Sequence, residues 1–182
     1  MLTLKKSSFT ENMVHLNSLS LRRWVFEPGM EFLSDSKWWG DRGHRGKRHN
    51  GLDLLFYETS GGELKTIGED TKIPIIYPGR IVKRVEDFLG YTLFAAHDIF
   101  DGDCRLFTLY GHVLQGPDIA GGKYMDEGRT IATLPRAKSG RVPSHLHISA
   151  VLIPNDMPAE NLSWKTLDEL TSASFIDPKE II

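Results

Sequence analysis

Apolar and polar positions alternate most clearly between Ser144 and Val151. Side chains two apart on a strand point to the same face. His145 and His147 therefore share one face of a predicted strand, while Leu146 and Ile148 turn the other way, into a core. Further strand patterns run over 72–77 and 79–85, around Pro78-Gly79, and then over 91–97, 105–112 and 128–133. The turn Asp101-Gly102-Asp103 joins 91–97 to 105–112, which is a strong hairpin signal. No long helical period occurs before residues 163–170. There Ser163 suits an N-cap, and Trp164, Leu167 and Leu170 fall on one face. Phe175-Ile176-Asp177 is extended and halted by Pro178. Near the start, 19–21 and 24–26 look strand-like, so residues 1–35 read as an N-terminal strand or extension lying on the main domain. The pattern predicts a mainly β chain, an antiparallel sheet or sandwich with a short C-terminal helix.

Composition narrows the class without naming a function. The chain has 182 residues, enough for one domain, with 40% hydrophobic and 25% charged residues. A formal net charge of −2 gives no sign of a nucleic-acid protein. Seventeen glycines and nine prolines suit many short strands joined by turns. Cys104 is the single cysteine, so neither an intramolecular disulfide nor a cysteine zinc site is expected. No stretch approaches the roughly 18 apolar residues of a membrane span. The N-terminus carries Lys5 and Lys6 but no apolar segment behind them, so no signal peptide is visible. That leaves a cytoplasmic protein, another export route, or a chain given without its leader.

Candidate chemistry gathers at three places. Besides His145 and His147 there are His49-Asn50-Gly51-Leu52-Asp53 and Tyr110-Gly111-His112. Asp53 leads into the apolar run Leu54-Leu55-Phe56, where a carboxylate is costly to bury unless paired or bound to a cation. Taken alone, that segment also reads as a hairpin with Asp53 capping a turn, and the histidine pair as surface or core histidines. A catalytic zinc takes three ligands from histidine and carboxylate and leaves a fourth position for water. His49, Asp53 and His147 supply that set, and one ion per chain would keep a formal charge of +1 with which to acidify a water. His145, on the face of His147, suits a general base. His112 suits a donor to the developing oxyanion or a residue that positions the water. Two histidines and a carboxylate also describe a non-haem iron oxygenase, although His112 and His145 suit hydrolysis better. The segment 38–48, rich in tryptophan, glycine and basic residues, reads equally as a solvated loop with two tryptophans tucked on a core or as a groove wall, with His44 as a candidate substrate contact. His15 reads as exposed.

The motif series H-x-G-x-D, Y-x-H and H-L-H resembles the lysostaphin-type zinc endopeptidases that cut bacterial cell-wall peptides. The likeness extends to Ile75–Val82, to Gly90–His97 and to the closing Asp177-Pro178, and spans roughly residues 40 to 180. It implies a mostly antiparallel β fold with a loop-walled active-site groove, and a zinc peptidase domain over 36–182 after the extension 1–35. It implies His49, Asp53 and His147 as ligands of one Zn2+ per chain, and His112 and His145 as catalytic histidines. It implies hydrolysis of a peptidoglycan cross-bridge or stem peptide by a zinc-activated water with histidine acid–base help, in the cell envelope or outside the cell. A non-enzymatic peptidoglycan-binding or regulatory module on the same fold is the alternative. His97 matches a histidine on the preceding strand and reads as a hydrogen-bonded core residue. The turn 139–144 is bulkier and more basic than the small-residue turn usual before H-L-H, and the loop 115–128 is individual; both are expected to shape the groove. Residues 1–35 match nothing in the family, and some relatives block the zinc with such a segment.

Overall fold

The computed structural model describes residues 3–116, 122–137 and 142–182. In chain order, helix α1 (Phe9–Asn17) and strand β1 (Leu21–Val25) precede β2 (Leu52–Leu54), β3 (Phe56–Thr59), β4 (Leu64–Thr66) and β5 (Lys72–Pro74). Then come β6 (Gly79–Glu86), β7 (Tyr91–Asp101), β8 (Cys104–Gln115), β9 (Tyr124–Met125), β10 (Thr130–Thr133) and β11 (Leu146–Pro154). Helix α2 (Trp164–Glu169) and β12 (Ser174–Ile176) follow. Among the described residues the main sheet runs β12-β11-β8-β7-β6-β9, with β2 on the end of β11 and β10 joining β8 to β5. A smaller sheet has the order β1-β3-β4. The pairings are antiparallel, as the alternation predicts.

The central strands bury both faces, and alternation assigns each residue to one of two cores. On one face Leu146, Ile148, Ala150 and Leu152 of β11 meet Leu106 and Tyr110 of β8 and Leu93 and Ala95 of β7. On the other, Val151 and Ile153 meet Phe107, Leu109, Phe94 and Ala96, capped by Leu167 of α2. His147 and Ser149 stand on this second face, beyond the helix, where the apolar cover gives way to a groove. Helix α2 starts where expected, with the Ser163 side chain accepting the Thr166 N–H at 3.1 Å.

The N-terminal region differs from expectation in one respect. Phe9–Asn17 is a helix, and Phe9 and Met13, one turn apart, are fully buried in the first core. The 24–26 signal appears in β1, which pairs with β3. The hairpin β7–β8 closes through Gly102, whose φ of +56° suits glycine. His97 lies on β7 with no exposure; its Nδ1 donates to the Pro78 carbonyl at 3.0 Å, and Nε2 lies 2.7 Å from the Thr108 hydroxyl. Burial pushes His97 down to about 4, so it is neutral at neutral pH. That is a satisfied core histidine. Residues 139–141 of the turn before β11 and residues 117–121 of the loop after β8 lie outside the described residues.

Candidate metal centre

Three strands deliver the site. β2 pairs with β11 so that Asp53 lies opposite His147, and Gly111 of β8 flanks His147 from the other side. His49 sits just before β2, held by its N–H on the Ser34 carbonyl at 2.8 Å. Gly51 lets the segment approach β11. A Cβ there would stand 2.3 Å from the Ile148 carbonyl oxygen and 2.6 Å from His147 Cε1 and Nε2. The glycine of H-x-G-x-D thus serves close approach rather than a positive φ.

Asp53 Oδ1, His49 Nε2 and His147 Nδ1 form a triangle with sides of 2.9, 3.0 and 3.2 Å. All three residues are buried. Ligand atoms around a four-coordinate zinc, with bonds of about 2.0–2.1 Å, lie about 3.3 Å apart. The triangle is tighter by a few tenths of an ångström, a difference small rotations absorb.

The far side of each ligand is already engaged. His49 Nδ1 donates to the Glu31 carbonyl at 3.1 Å, which leaves the Nε2 lone pair facing the triangle. His147 Nε2 lies 2.9 Å from the Ser149 hydroxyl, which can accept its proton and free Nδ1. Asp53 Oδ2 accepts the Trp38 indole N–H at 2.7 Å and is 3.5 Å from Arg45. Such outer partners fix tautomer and orientation at metal sites. Burial alone would raise the Asp53 pKa; the adjoining His49 and His147 outweigh it and keep the carboxylate ionised. Burial pushes His147 down to about 4, against the pull of Asp53. A carboxylate and two lone pairs therefore converge in a buried place, and that donor set fits a divalent cation.

His145 and His112 stand beside the triangle. Their ring centroids are 4.8 Å apart, and His112 is 6.0 Å from His147. His145 Nδ1 donates to the Pro143 carbonyl at 2.8 Å, and its Nε2 is 3.9 Å from Asp53 Oδ1. Burial lowers the pKa of His145, with Asp53 opposing, which favours the neutral ring. The structure therefore brings together all five residues: His49, Asp53, His112, His145 and His147. His112 does not end its strand. β8 runs on to Gln115, and His112 sits at a bulge with φ +64°.

A cavity of about 340 Å³ opens over His49, His112 and His147. Its walls include Arg45, Lys47, Arg48, Phe88, Trp164 and Asp168. The segment 38–48 thus answers to both of its readings: Trp38 is buried edge-on to His145, ring centroids 4.9 Å apart, while Arg45, Lys47 and Arg48 form a groove wall. His44 is exposed and bridges to Ser36, outside the cavity lining. Ser149, Trp38, Arg45 and Asp87 belong to the site without having been singled out in the sequence. Ser149 carried a legible signal, since it lies two residues past His147 on the same strand face; Trp38 and Arg45 were legible only as members of the 38–48 segment.

The catalytic domain of the antimicrobial peptidase lysostaphin from Staphylococcus simulans matches 96% of this chain and 96% of its own, with a TM-score of 0.50 at 17% identity. The chain has the lysostaphin-type peptidase fold. LytU also resembles it, over 82% of this chain and 93% of its own (TM-score 0.46, 17% identity). So does the catalytic domain of EnpA, a prophage-encoded M23 protein from Enterococcus faecalis, over 75% and 93% (TM-score 0.43, 19% identity). No family model and no curated protein matches the chain. Among the described residues, no helix of this lysostaphin-type fold is long and apolar enough to cross a membrane.

Proposed function

We propose that the chain is a zinc-dependent endopeptidase that hydrolyses a peptide bond of bacterial peptidoglycan, in a cross-bridge or a stem peptide. One observation carries the reading: three ligand atoms from His49, Asp53 and His147 converge to within 3.2 Å beside two further imidazoles, at the floor of an open groove. The lysostaphin-type fold supports it. His49 Nε2, Asp53 Oδ1 and His147 Nδ1 would hold the zinc. Once bound, the ion would polarise the substrate carbonyl and acidify a water. His145, with Nδ1 on a carbonyl and Nε2 free toward the site, accepts the proton of the attacking water and returns it to the leaving amine. His112, in edge contact with the His145 ring, donates a hydrogen bond to the developing oxyanion. The groove walls, Phe88 and Trp164 among them, align the peptide and exclude bulk water. We propose residues 36–182 as the peptidase unit and 1–35 as an extension of it, consistent with the burial of Phe9 and Met13 in the shared core and with the Glu31 carbonyl on His49. Such a substrate places the working protein in the envelope or outside the cell.

The test is hydrolysis of purified cell walls and of synthetic bridge and stem peptides, followed by the release of new amino groups. Chelator should stop the release and zinc should restore it. Release that ignores chelator, or no release from any of these substrates by zinc-loaded protein, would overturn the reading.

A further inference from the structure

A carboxylate outside the set of five holds one of its members. Asp87 lies in the turn between β6 and β7, with a side chain only 8% exposed. Its Oδ1 accepts the N–H groups of Leu89 at 3.0 Å and Gly90 at 2.8 Å. Its Oδ2 accepts the Thr92 hydroxyl at 3.0 Å and, from the neighbouring strand, the His112 N–H at 2.8 Å. Oδ1 also lies 3.2 Å from His112 Nδ1, within ion-pair distance but out of line for a hydrogen bond. The Thr92 hydroxyl in turn accepts the Trp164 indole N–H at 3.0 Å. The carboxylate is thus fixed by its own turn and reaches across to both the peptide and the ring of His112.

His112 requires such support. Its φ of +64° is the left-handed region, where a Cβ crowds the following carbonyl and few residues other than glycine settle without support. It stands at a bulge, where β7 and β8 shift register between Tyr91 and Leu93, and bulges re-aim a side chain. His112 Nδ1 is buried, and among the described residues it makes no aligned hydrogen bond, so the Asp87 carboxylate is the acceptor nearest at hand. Burial opposes ionisation of Asp87, but His112 and the Gly90 N–H outweigh it and hold the carboxyl well below its ordinary range.

We propose that Asp87 is a positioning residue for His112. By its contacts with the His112 N–H and Nδ1, it holds the bulged backbone and keeps the proton on Nδ1, so that Nε2 is the nitrogen presented to substrate. The two site histidines then differ in their support. The Nδ1 of His145 meets a carbonyl, whereas that of His112 meets a carboxylate, which serves a neutral and a doubly protonated ring alike. Doubly protonated, a ring so held donates from Nε2 to an oxyanion; neutral, it offers the Nε2 lone pair instead. The inference rests on the reading of His112 as a catalytic residue.

The experiment is a double-mutant cycle on the zinc-loaded full chain, with Asp87→Asn, His112→Ala and the pair, measured on a cell-wall peptide. Asp87→Asn should lower kcat by about 10–100-fold, with KM within about twofold and zinc stoichiometry unchanged. In the His112→Ala background, Asp87→Asn should have no further effect on the residual rate. An equal loss in both backgrounds, or full activity of Asp87→Asn beside an inactive His112→Ala, would overturn the proposal. Full activity of His112→Ala would instead defeat the catalytic reading of His112. Should Asp87→Asn fail to fold, nitrogen NMR of the wild-type histidine rings decides. His112 protonated at Nδ1 supports the proposal, and a bare Nδ1 at neutral pH overturns it.

Discussion

Gly51→Ala puts the packing of the metal centre under direct strain. The added methyl would stand 2.3 Å from the Ile148 carbonyl oxygen and 2.6 Å from two atoms of the His147 ring. An ordinary carbon–oxygen approach is about 3.3 Å or more, so something must yield by about 1 Å. The carbonyl cannot yield cheaply, because Ile148 is paired with Leu52 on one side and Tyr110 on the other. His147 is held between Asp53 and Ser149. Overpacking of this kind costs about 3 kcal/mol, which in a chain of this length lowers Tm by about 6–12 °C. Metal ligands tolerate displacements of only about 0.2 Å, so zinc affinity should fall by about 100-fold or more. Thermal unfolding in chelator isolates the packing cost, and competition with a chromophoric chelator measures the affinity. Gly68→Ala is the control: its Cβ meets nothing within 4 Å, and the change should stay within about 0.5 kcal/mol. Wild-type Tm and wild-type zinc affinity in Gly51→Ala would refute the assigned contact between 51 and 147.

The remaining predictions divide the site and test the core. His49→Ala and Asp53→Ala should lose zinc, while His145→Ala should keep it and lose most turnover; equal zinc loss in all three would defeat the division of roles. Tyr110→Phe strands the buried Ile76 N–H, which donates to the Tyr110 hydroxyl at 2.7 Å, and should cost about 1–3 kcal/mol in urea unfolding; an unchanged midpoint would show that the bond contributes nothing. Acid should destabilise the chelated protein well above the carboxylate range. His97 and His147 are both held down to about 4 by burial, so the unfolded chain, titrating near 6.5, binds more protons between those values. Their contribution is fully present above about pH 6.5 and is lost as pH falls toward 4, each with a slope approaching about 1.4 kcal/mol per pH unit. Urea unfolding at pH 7, 6 and 5 reads that slope, and His97→Gln should make it shallower; a flat profile would refute the burial argument.

The site was more legible in the sequence than its supports were. Alternation through 144–151 pointed to His147 and its neighbour His145, although β11 begins only at Leu146 and His145 stands just before it; the antiparallel register then set Asp53 opposite His147. Gly51 was visible as the glycine of the H-x-G-x-D motif, but its requirement comes from a strand almost a hundred residues away. Helix α1 was missed because nine residues with two buried anchors, Phe9 and Met13, carry little periodicity of their own; packing on β5 stabilises it. Asp87 drew no reading from the sequence. Its hold on His112 depends on the bulge between β7 and β8, which no local pattern shows. Trp38 was recognisable as part of a wall, but its indole on Asp53 depends on how the 29–48 segment folds back over β2.

The most direct measurement is the metal content of the natively purified protein by mass spectrometry, beside the same preparation of Asp53→Ala. About one zinc per wild-type chain, removable by chelator and absent from the variant, is expected if the triangle of His49, Asp53 and His147 is a metal centre. A wild-type protein that takes up no zinc even after reconstitution, or a variant that binds it as well, would contradict that assignment.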